Sequence, residues 1–236
     1  MILAIESSSL VASVALADED RVIAEYTTNQ KKTHSQTLLP MIEEIFRITD
    51  ADKKEIDAIA VSAGPGSFTG LRIGSATAKG LGLAWNKPLI SVPTVEGLAY
   101  NIQFTDRYIC PIMDARRNQV YTGIFENTNG RQTTVMEQCA IAVEELVAIL
   151  NEKGRPVIFL GDGTPVYREV LDEKLSVEHG YAPVNMNRQR ASSVAALGMI
   201  YYREGRTESS DCHVPNYLRM SQAERERMNR DKKNGA

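Results

Sequence analysis

Short apolar runs alternate with helical patterns along the chain, and this alternation predicts an α/β fold. Ile2 to Ile5, Val11 to Ala17 and Val22 to Thr27 are apolar runs joined by tight polar turns, which predict a three-stranded antiparallel meander. A helical repeat of apolar residues follows, and then strands and helices alternate. The predicted order of the first half is β-β-β-α-β-α-β-α, with its last five elements near 38–46, 57–62, 70–85, 88–92 and from 94.

The same order restarts in the second half. The stretch YICPIMDARRNQVYTGIFE, from Tyr108, predicts strand, polar turn and strand, and TTVMEQC predicts a third strand. If both halves have one topology, each places its first polar turn at the same end of its sheet. We therefore expect two turns to face each other across a cleft, Glu6 to Ser9 and Asp114 to Asn118. The remaining predicted elements are a helix at 143–152, a strand at 156–161 and helices at 164–171 and 191–203.

The length of 236 residues fits one fold of two lobes. We expect an N-terminal lobe at 1–104 that carries the pairing surface, a C-terminal lobe at 105–219 and a charged, flexible tail at 220–236. From Ser221 onward the tail has five basic and three acidic side chains and little apolar content.

Charge and cysteine content exclude several function classes. A formal net charge of −3 leaves no basic excess for independent binding of a nucleic acid. The three cysteines are widely spaced and predict neither disulfides nor a thiolate zinc site. The N-terminus lacks a signal-peptide pattern, and no apolar run approaches the length of a membrane span. We therefore expect a cytoplasmic protein without membrane association.

The glycine-dense stretch AGPGSFTGLRIGSATAKGLG, at 63–82, raises the question of phosphate binding. A P-loop requires G-x-x-x-x-G-K-[ST], and a dinucleotide-binding turn requires G-x-G-x-x-G. Thr69 stands five positions after Gly64, where both motifs require a glycine. The spacing therefore argues against nucleotide binding by this loop itself.

Small residues recur every four positions in the helix that follows, at Gly70, Gly74, Ala78 and Gly82. This stripe predicts close backbone approach, because interior glycines destabilise a helix by about 0.5–1 kcal/mol each and need a compensating contact. Packing on the helix's own sheet is one explanation. We favour pairing with helices of another chain, so that Gly74→Leu or Ala78→Trp would weaken pairing and leave the lobe folded. The predicted interface residues are Leu38, Ile42, Phe46, Gly70, Arg72, Gly74, Ala78, Leu81 and Gly82.

Four segments, ILAIESS, THSQTLLPMI, VSAGPGSFTGLRIG and VPNYLR, together resemble the TsaB (YeaZ) family from Met1 to about Arg219. The resemblance implies two ribonuclease H-like lobes of the ASKHA class, which includes actin, heat-shock chaperones and sugar kinases. It also implies a non-catalytic subunit that pairs with itself when alone or with the catalytic TsaD subunit. A TsaE-type ATPase joins that complex, which uses ATP to make threonylcarbamoyladenosine beside the tRNA anticodon, and tRNA is reached only through the complex.

Chemistry by the chain alone has little support in the sequence. The catalytic relative binds a metal through a His-x-x-x-His pair, whereas His34, His179 and His213 are isolated, so no metal site is expected. Nothing resembles the nucleophile motif G-x-S-x-G. Glu6 stands where the wider superfamily commonly has Asp, and we expect it to have a hydrogen-bonded structural role.

The alternative function is a stand-alone ATP-dependent phosphotransferase of the same fold. FLGDGTPVY, from Phe159, resembles the element that meets adenosine in that fold, although glycines between a strand and a helix are common for steric reasons. The turn with Asp114 and Arg117 is either a phosphate site or a solvated turn, and we favour the solvated turn. No cofactor is firmly expected, and the candidates for nucleotide contact are Ser7, Ser8, Arg116, Gly161 and Gly163.

Overall fold

The computed structural model describes residues 1–219 and forms two five-stranded sheets. The first sheet has the order β3-β2-β1-β4-β5, with β2 antiparallel to β1 and β3, and β4 parallel to β1 and β5. Its strands are β1 (Ile2–Glu6), β2 (Ala12–Ala17), β3 (Val22–Thr28), β4 (Ala58–Gly64) and β5 (Leu89–Pro93), and the helices between them and after them are α1 (His34–Thr49), α2 (Phe68–Trp85) and α3 (Thr94–Ala99).

The second sheet repeats this topology. Its order is β10-β9-β6-β7-β8, which is the arrangement of the first sheet with each strand replaced by its counterpart. The elements are β6 (Tyr108–Asp114), β7 (Gln119–Thr128), β8 (Arg131–Ala142), α4 (Val143–Lys153), β9 (Val157–Leu160), α5 (Thr164–Lys174), β10 (His179–Tyr181) and α6 (Ala191–Arg203). The predicted repeat is therefore confirmed, and β10 completes it; three residues are too few to give a periodic signal in the sequence.

The central strands of the first sheet are buried at every position, and β1 is apolar from Ile2 to Ile5. All five residues of β1 are buried. Leu3 and Ile5 pack into the core beneath α1 and α2, whereas Ile2 and Ala4 pack into a second core that includes residues of α6. An unbroken apolar strand of this kind is typical of a sheet covered by helices on both sides.

Two helices pack across the division that the sequence predicted at residue 105. The helix α6 covers the first sheet: Gly198 lies so close to β4 that an added Cβ would be 2.7 Å from the Ala60 Cβ. Glu25 of β3 accepts hydrogen bonds from the Ser192 amide and hydroxyl at 2.9 and 2.8 Å. The helix α3 instead packs with residues of the second sheet in one core.

The assignment of 105–219 to the C-terminal lobe is therefore wrong for α6. The topology restarts near residue 105, but the free face of the first sheet must still be covered, and α6 provides that cover. The segment after α6 also returns to the first sheet, where Glu208 pairs with Leu89 and the Asn216 amide donates to the Ala63 carbonyl at 2.6 Å. The predicted tail at 220–236 lies outside the described residues.

Within residues 1–219 no helix is both long enough and apolar enough to cross a membrane.

Candidate functional site

A cleft of about 590 Å³ lies between the ends of the two sheets. The β1–β2 turn contributes Ser8 and Ser9 to one wall, and the β6–β7 turn contributes Arg116 and Arg117 to the other. The prediction that the two polar turns face each other across a cleft is therefore confirmed. The start of α2, the carboxyl side chains of Asp114 and Asp162 and the segment 217–219 also line the cleft.

The β1–β2 turn is hydrogen-bonded to its own lobe. The Glu6 carboxylate accepts from the Ser8 amide at 2.6 Å, from the Ser8 hydroxyl at 2.5 Å and from the Ser62 hydroxyl. Burial raises the pKa of Glu6, and the hydrogen bonds from Ser62 and Ser8 oppose that rise. Ser7 is fully buried, and its hydroxyl donates to the Gly70 carbonyl at 2.9 Å. Glu6 and Ser7 therefore stabilise the lobe and do not face the cleft.

The β6–β7 turn presents its arginines to the cleft. Arg116, Arg117 and Asn118 all have left-handed backbone conformations, with φ of 63°, 57° and 57°. The Asp114 carboxylate accepts from the Arg116 amide at 2.8 Å and from the Tyr167 hydroxyl at 3.0 Å, which fixes the start of the turn. Both arginine side chains are exposed.

The turn at Gly161 and Gly163 packs closely against β6. An added Cβ would lie 2.2 Å from the Ile112 carbonyl oxygen at Gly161 and 2.8 Å from it at Gly163, so both glycines are required for packing on β6. The Gly161 amide donates to Asn187 Oδ1 at 2.8 Å, and the Gly161 carbonyl accepts from Arg188 at 3.1 Å. Packing on β6 therefore explains both glycines, and nucleotide contact by this turn stays a prediction.

The stripe Gly70, Gly74, Ala78 and Gly82 faces the helix's own lobe, and all four residues are buried. An added Cβ would lie 2.1 Å from the Ser7 carbonyl oxygen at Gly70 and 2.1 Å from Ser7 Oγ at Gly74. At Gly82 it would lie 2.2 Å from the Ser210 hydroxyl oxygen. The prediction that this stripe contacts another chain is wrong, because the β1–β2 turn and the C-terminal segment already occupy the space beside it.

The other predicted interface residues divide into two groups. Leu38 of α1 is fully buried in the core of the first lobe and is therefore not an interface residue. Ile42 and Phe46 are buried in the same core, but together with the half-buried Leu81 they also line a groove between α1 and α2. Arg72 is exposed on the outer side of α2.

A second stripe of small residues lies on the exposed side of α2. Arg72, Ala76 and Gly80 are exposed at intervals of four residues, and among residues 1–219 no other part of the chain lies within 4 Å of the Cβ position of Gly80. Leu83 extends this face with 60% of its surface exposed. We call Arg72, Ala76, Gly80 and Leu83 the outer face of α2. The sequence analysis missed the last three, although their spacing was visible beside the buried stripe.

An apolar groove of about 680 Å³ between α1 and α2 borders this helix. Leu39, Phe46, Leu81 and Trp85 contribute its apolar lining. Charged side chains also line the groove, at Glu43, Glu44, Arg47 and Lys53. An exposed apolar groove with charged residues around it is typical of a protein-binding surface.

The three histidines lie apart and have local partners. His34 Nε2 lies 3.1 Å from a backbone carbonyl oxygen, His179 Nε2 lies 3.0 Å from Asp172, and His213 Nδ1 lies 2.8 Å from Glu208. Among residues 1–219 no group of three or more His, Cys, Asp or Glu side chains could hold a metal ion.

Comparison with known proteins gives relatives along almost the whole chain. The family model TsaD, tRNA N6-adenosine threonylcarbamoyltransferase, matches residues 21–227. The tRNA threonylcarbamoyladenosine biosynthesis protein TsaB of Bacillus subtilis (strain 168) is 37% identical over 225 residues, which cover 94% of this chain and 96% of that protein. The chain belongs to the TsaB family. The resemblance found in the four sequence segments is thereby confirmed.

A second TsaB protein and two solved structures extend the comparison. TsaB of Escherichia coli (strain K12) is 28% identical over 227 residues, which cover 92% of this chain and 94% of that protein. A Pseudomonas aeruginosa protein with similarity to peptidase YEAZ has a TM-score of 0.78 at 24% identity, covering 92% of this chain and 99% of its own. YeaZ from the same organism has a TM-score of 0.76 at 24% identity, with the same coverage. The predicted fold class, two ASKHA-type α/β lobes, is confirmed.

Proposed function

We propose that this TsaB-family chain is a non-catalytic subunit of the tRNA threonylcarbamoyl transferase complex. It binds a TsaD-type catalytic subunit and is needed for N6-threonylcarbamoylation of the adenosine beside the anticodon in tRNAs that read codons beginning with A. The observation that carries the proposal is the exposed outer face of α2, with the small residues Ala76 and Gly80 between Arg72 and Leu83, beside an apolar groove. TsaB relatives that match almost the whole chain are named for biosynthesis of threonylcarbamoyladenosine.

The outer face of α2 is suited to a helical partner. Ala76 and Gly80 allow another backbone to approach closely, and Leu83 supplies an apolar side chain for burial at the contact. Gly80 costs helix stability, no side chain of another described element lies within 4 Å of its Cβ position, and contact with a partner would offset that cost. The groove between α1 and α2 extends the same surface and would accept apolar side chains of the partner.

The local chemistry supports a non-catalytic role. Every hydrogen-bonding partner of the Glu6 carboxylate belongs to its own lobe, and the Gly161 turn is occupied by Asn187 and Arg188. Asp114 and Asp162 line the cleft, but both accept hydrogen bonds from groups of their own lobe, so the alternative of a stand-alone phosphotransferase is not favoured. In this proposal the partner supplies the catalytic groups, and a TsaE-type ATPase and tRNA join the complex through it.

The same outer face would serve two contacts in turn. We propose that the chain forms a homodimer when it is alone and exchanges that contact for the TsaD-type subunit when both are present. A self-complementary surface of two helices permits this exchange, because a two-fold axis brings the same residues of both copies together. The outer face and the groove would then be unavailable to a second copy in the heterodimer.

Reconstitution tests the proposal. Purified chain, TsaD-type subunit, TsaE-type ATPase and the enzyme that makes the threonylcarbamoyl-adenylate are mixed with unmodified tRNA, and threonylcarbamoyladenosine is quantified by mass spectrometry. We expect product only when this chain is present, and no turnover of ATP with candidate acceptors when the chain is alone. Full modification without the chain, or phosphotransfer by the chain alone, would contradict the proposal.

A further inference from the structure

The chain after α6 returns along α2, and we call residues 208–219 the C-terminal strap. In the last turn of α2, the Ser210 hydroxyl oxygen lies 2.2 Å from the position that a Cβ of Gly82 would take. Nearer the start of the helix, Lys79 Nζ donates to the His213 carbonyl at 3.2 Å. The strap therefore runs beside α2 in the opposite direction, from the end of the helix toward its start.

A buried histidine fixes the strap to the first lobe. The side chain of His213 is fully buried, and its Nδ1 lies 2.8 Å from Glu208 Oε1 and 3.0 Å from the Ser91 hydroxyl oxygen. The Glu208 backbone pairs with Leu89 at the edge of the first sheet. The strap is therefore part of the lobe, and the residues that follow His213 have a defined position beside α2.

The strap ends in a stack of side chains at the start of α2. The ring centroids of Tyr217 and Phe68 lie 4.5 Å apart. The Arg72 guanidinium carbon lies 4.0 Å from the centroid of the Phe68 ring, one helical turn away. This cation–π contact limits the motion of the Arg72 side chain before any partner binds. Arg72 belongs to the outer face of α2, so the stack holds a guanidinium group at the edge of that face.

The charge of Arg72 has no acidic partner among residues 1–219, where no ion pair includes it. Its neighbours on the outer face, Ala76, Gly80 and Leu83, are small or apolar. A partner that covers this face would remove water from the guanidinium group, and burial of an unpaired charge is strongly unfavourable. A carboxylate offsets that cost best, because it accepts two parallel hydrogen bonds from a guanidinium group.

We propose that Arg72, held by Phe68 and the strap residue Tyr217, is an anchor residue that pairs with a carboxylate of the TsaD-type subunit. Tyr217 acts as a positioning residue, because it contacts Phe68 and leaves the charge to Arg72. The inference rests on the proposed function, which places the partner on the outer face of α2. It adds the chemistry of the partner at one position and makes the C-terminal strap a support of the binding surface.

Affinity for the TsaD-type subunit, measured by biolayer interferometry at low and at high salt, tests the anchor. The test variant is Arg72→Gln, and Arg72→Lys keeps the charge without the planar group. Arg131→Gln is the control, because Arg131 is also exposed and lies beside the β7–β8 turn at the far end of the second sheet. Both glutamine variants change the net charge equally.

We expect Arg72→Gln to weaken binding by about tenfold at low salt and to reduce the salt dependence, since a charge-assisted pair is lost. Arg72→Lys should recover only part of the affinity, because an ammonium group cannot form the two parallel hydrogen bonds. The control should change the affinity by less than about twofold, because screening suppresses distant charges.

Two variants of Tyr217 test its positioning role. Tyr217→Leu should weaken binding by about threefold and keep the salt dependence, because the charge of Arg72 remains, and Tyr217→Phe should restore the affinity of the parent chain. A merely structural role would lower the unfolding midpoint of Tyr217→Leu and leave the affinity of the folded chain unchanged, which would overturn this part of the proposal.

The remaining outcomes separate this inference from the proposed function. A parent chain that does not bind the TsaD-type subunit would contradict both. Binding by the parent chain with the same affinity and salt dependence in Arg72→Gln would overturn the inference alone. A short single-stranded RNA is the second probe: if Arg72→Gln lost binding to this RNA and kept its affinity for the subunit, Arg72 would bind phosphate, and the carboxylate assignment would be wrong.

Discussion

Gly74 of α2 lies directly against Ser7 of the β1–β2 turn, so that an added Cβ would come within 2.1 Å of Ser7 Oγ. The Ser7 hydroxyl donates to the Gly70 carbonyl one helical turn earlier, which holds the turn and the helix together. This contact decides which side of α2 is inside the lobe. The outer face, with Ala76 and Gly80, is consequently the side that remains for a partner.

Gly74→Leu should destabilise the isolated chain and not merely weaken pairing. The larger side chain must displace Ser7 or α2, and overpacking of a core commonly costs about 1–3 kcal/mol. Gly80→Leu, on the exposed side of the same helix, should keep or raise the stability, because leucine favours helix more than glycine does. Urea unfolding of the two variants measures both free energies. Equal unfolding midpoints would show that Gly74 does not face the lobe.

The two stripes of α2 show how much of this surface could be predicted from the sequence. The sequence analysis identified the stripe at residues 70, 74, 78 and 82 but not the one at residues 72, 76 and 80, which has the same four-residue spacing. Which of the two stripes faces the lobe depends on Ser7 and Ser210. These residues contact the buried stripe at Gly74 and Gly82 and lie far from it in the sequence. No local pattern contains that information.

Glu6 should make the stability depend on pH in a definite direction. Because burial raises its folded-state pKa, the folded chain binds the proton more tightly than the unfolded chain. Stability contributed by Glu6 is therefore fully present below the ordinary pKa of a glutamate and decreases as the pH rises through the raised value. In Glu6→Gln this dependence is absent.

The measurement is the difference in unfolding free energy between the parent chain and Glu6→Gln across the acid-to-neutral range. We expect the advantage of the parent chain to shrink as the pH rises. An advantage that instead grows with pH would mean that the hydrogen bonds from Ser8 and Ser62 outweigh burial and lower the pKa of Glu6.

Gly161→Ala should reduce stability through packing and leave any response to ATP unchanged. Gly161 has a φ of 113°, and its Cβ position lies 2.2 Å from the Ile112 carbonyl oxygen. Strain of this kind costs about 1–3 kcal/mol. Thermal unfolding with and without ATP checks this: a lower midpoint in both conditions is expected, whereas an ATP-dependent stabilisation that the variant abolishes would indicate a nucleotide site.

Gly198→Val tests the packing of α6 on the first sheet. An added Cβ at Gly198 would lie 2.7 Å from the Ala60 Cβ, so valine should separate α6 from β4 and destabilise the chain by about 1–3 kcal/mol. A fragment of residues 1–104 lacks α6 altogether and should not fold alone, because one face of its sheet would be exposed. Cooperative unfolding of that fragment, followed by circular dichroism, would contradict this account.

The repeat of strands and helices and the two facing turns followed from sequence, because each depends on local polarity along a single segment. The exchange of α3 and α6 between the sheets did not. Val194 of α6 and Val95 of α3 look alike in the sequence, yet the first packs on the N-terminal sheet and the second packs with the C-terminal sheet. The path of the chain between the two lobes determines which sheet each helix covers, and no local pattern shows that path.

The affinity of the TsaD-type subunit for Ala76→Trp tests the central claim most directly. Gly80→Ala is the matched control, because it adds one methyl group to the same face and should raise helix stability by about 0.5–1 kcal/mol. By biolayer interferometry we predict that Ala76→Trp weakens binding by about ten- to a hundredfold, while its unfolding midpoint stays within the range of the control. Unchanged affinity of a folded Ala76→Trp chain would show that the outer face of α2 is not where the catalytic subunit binds.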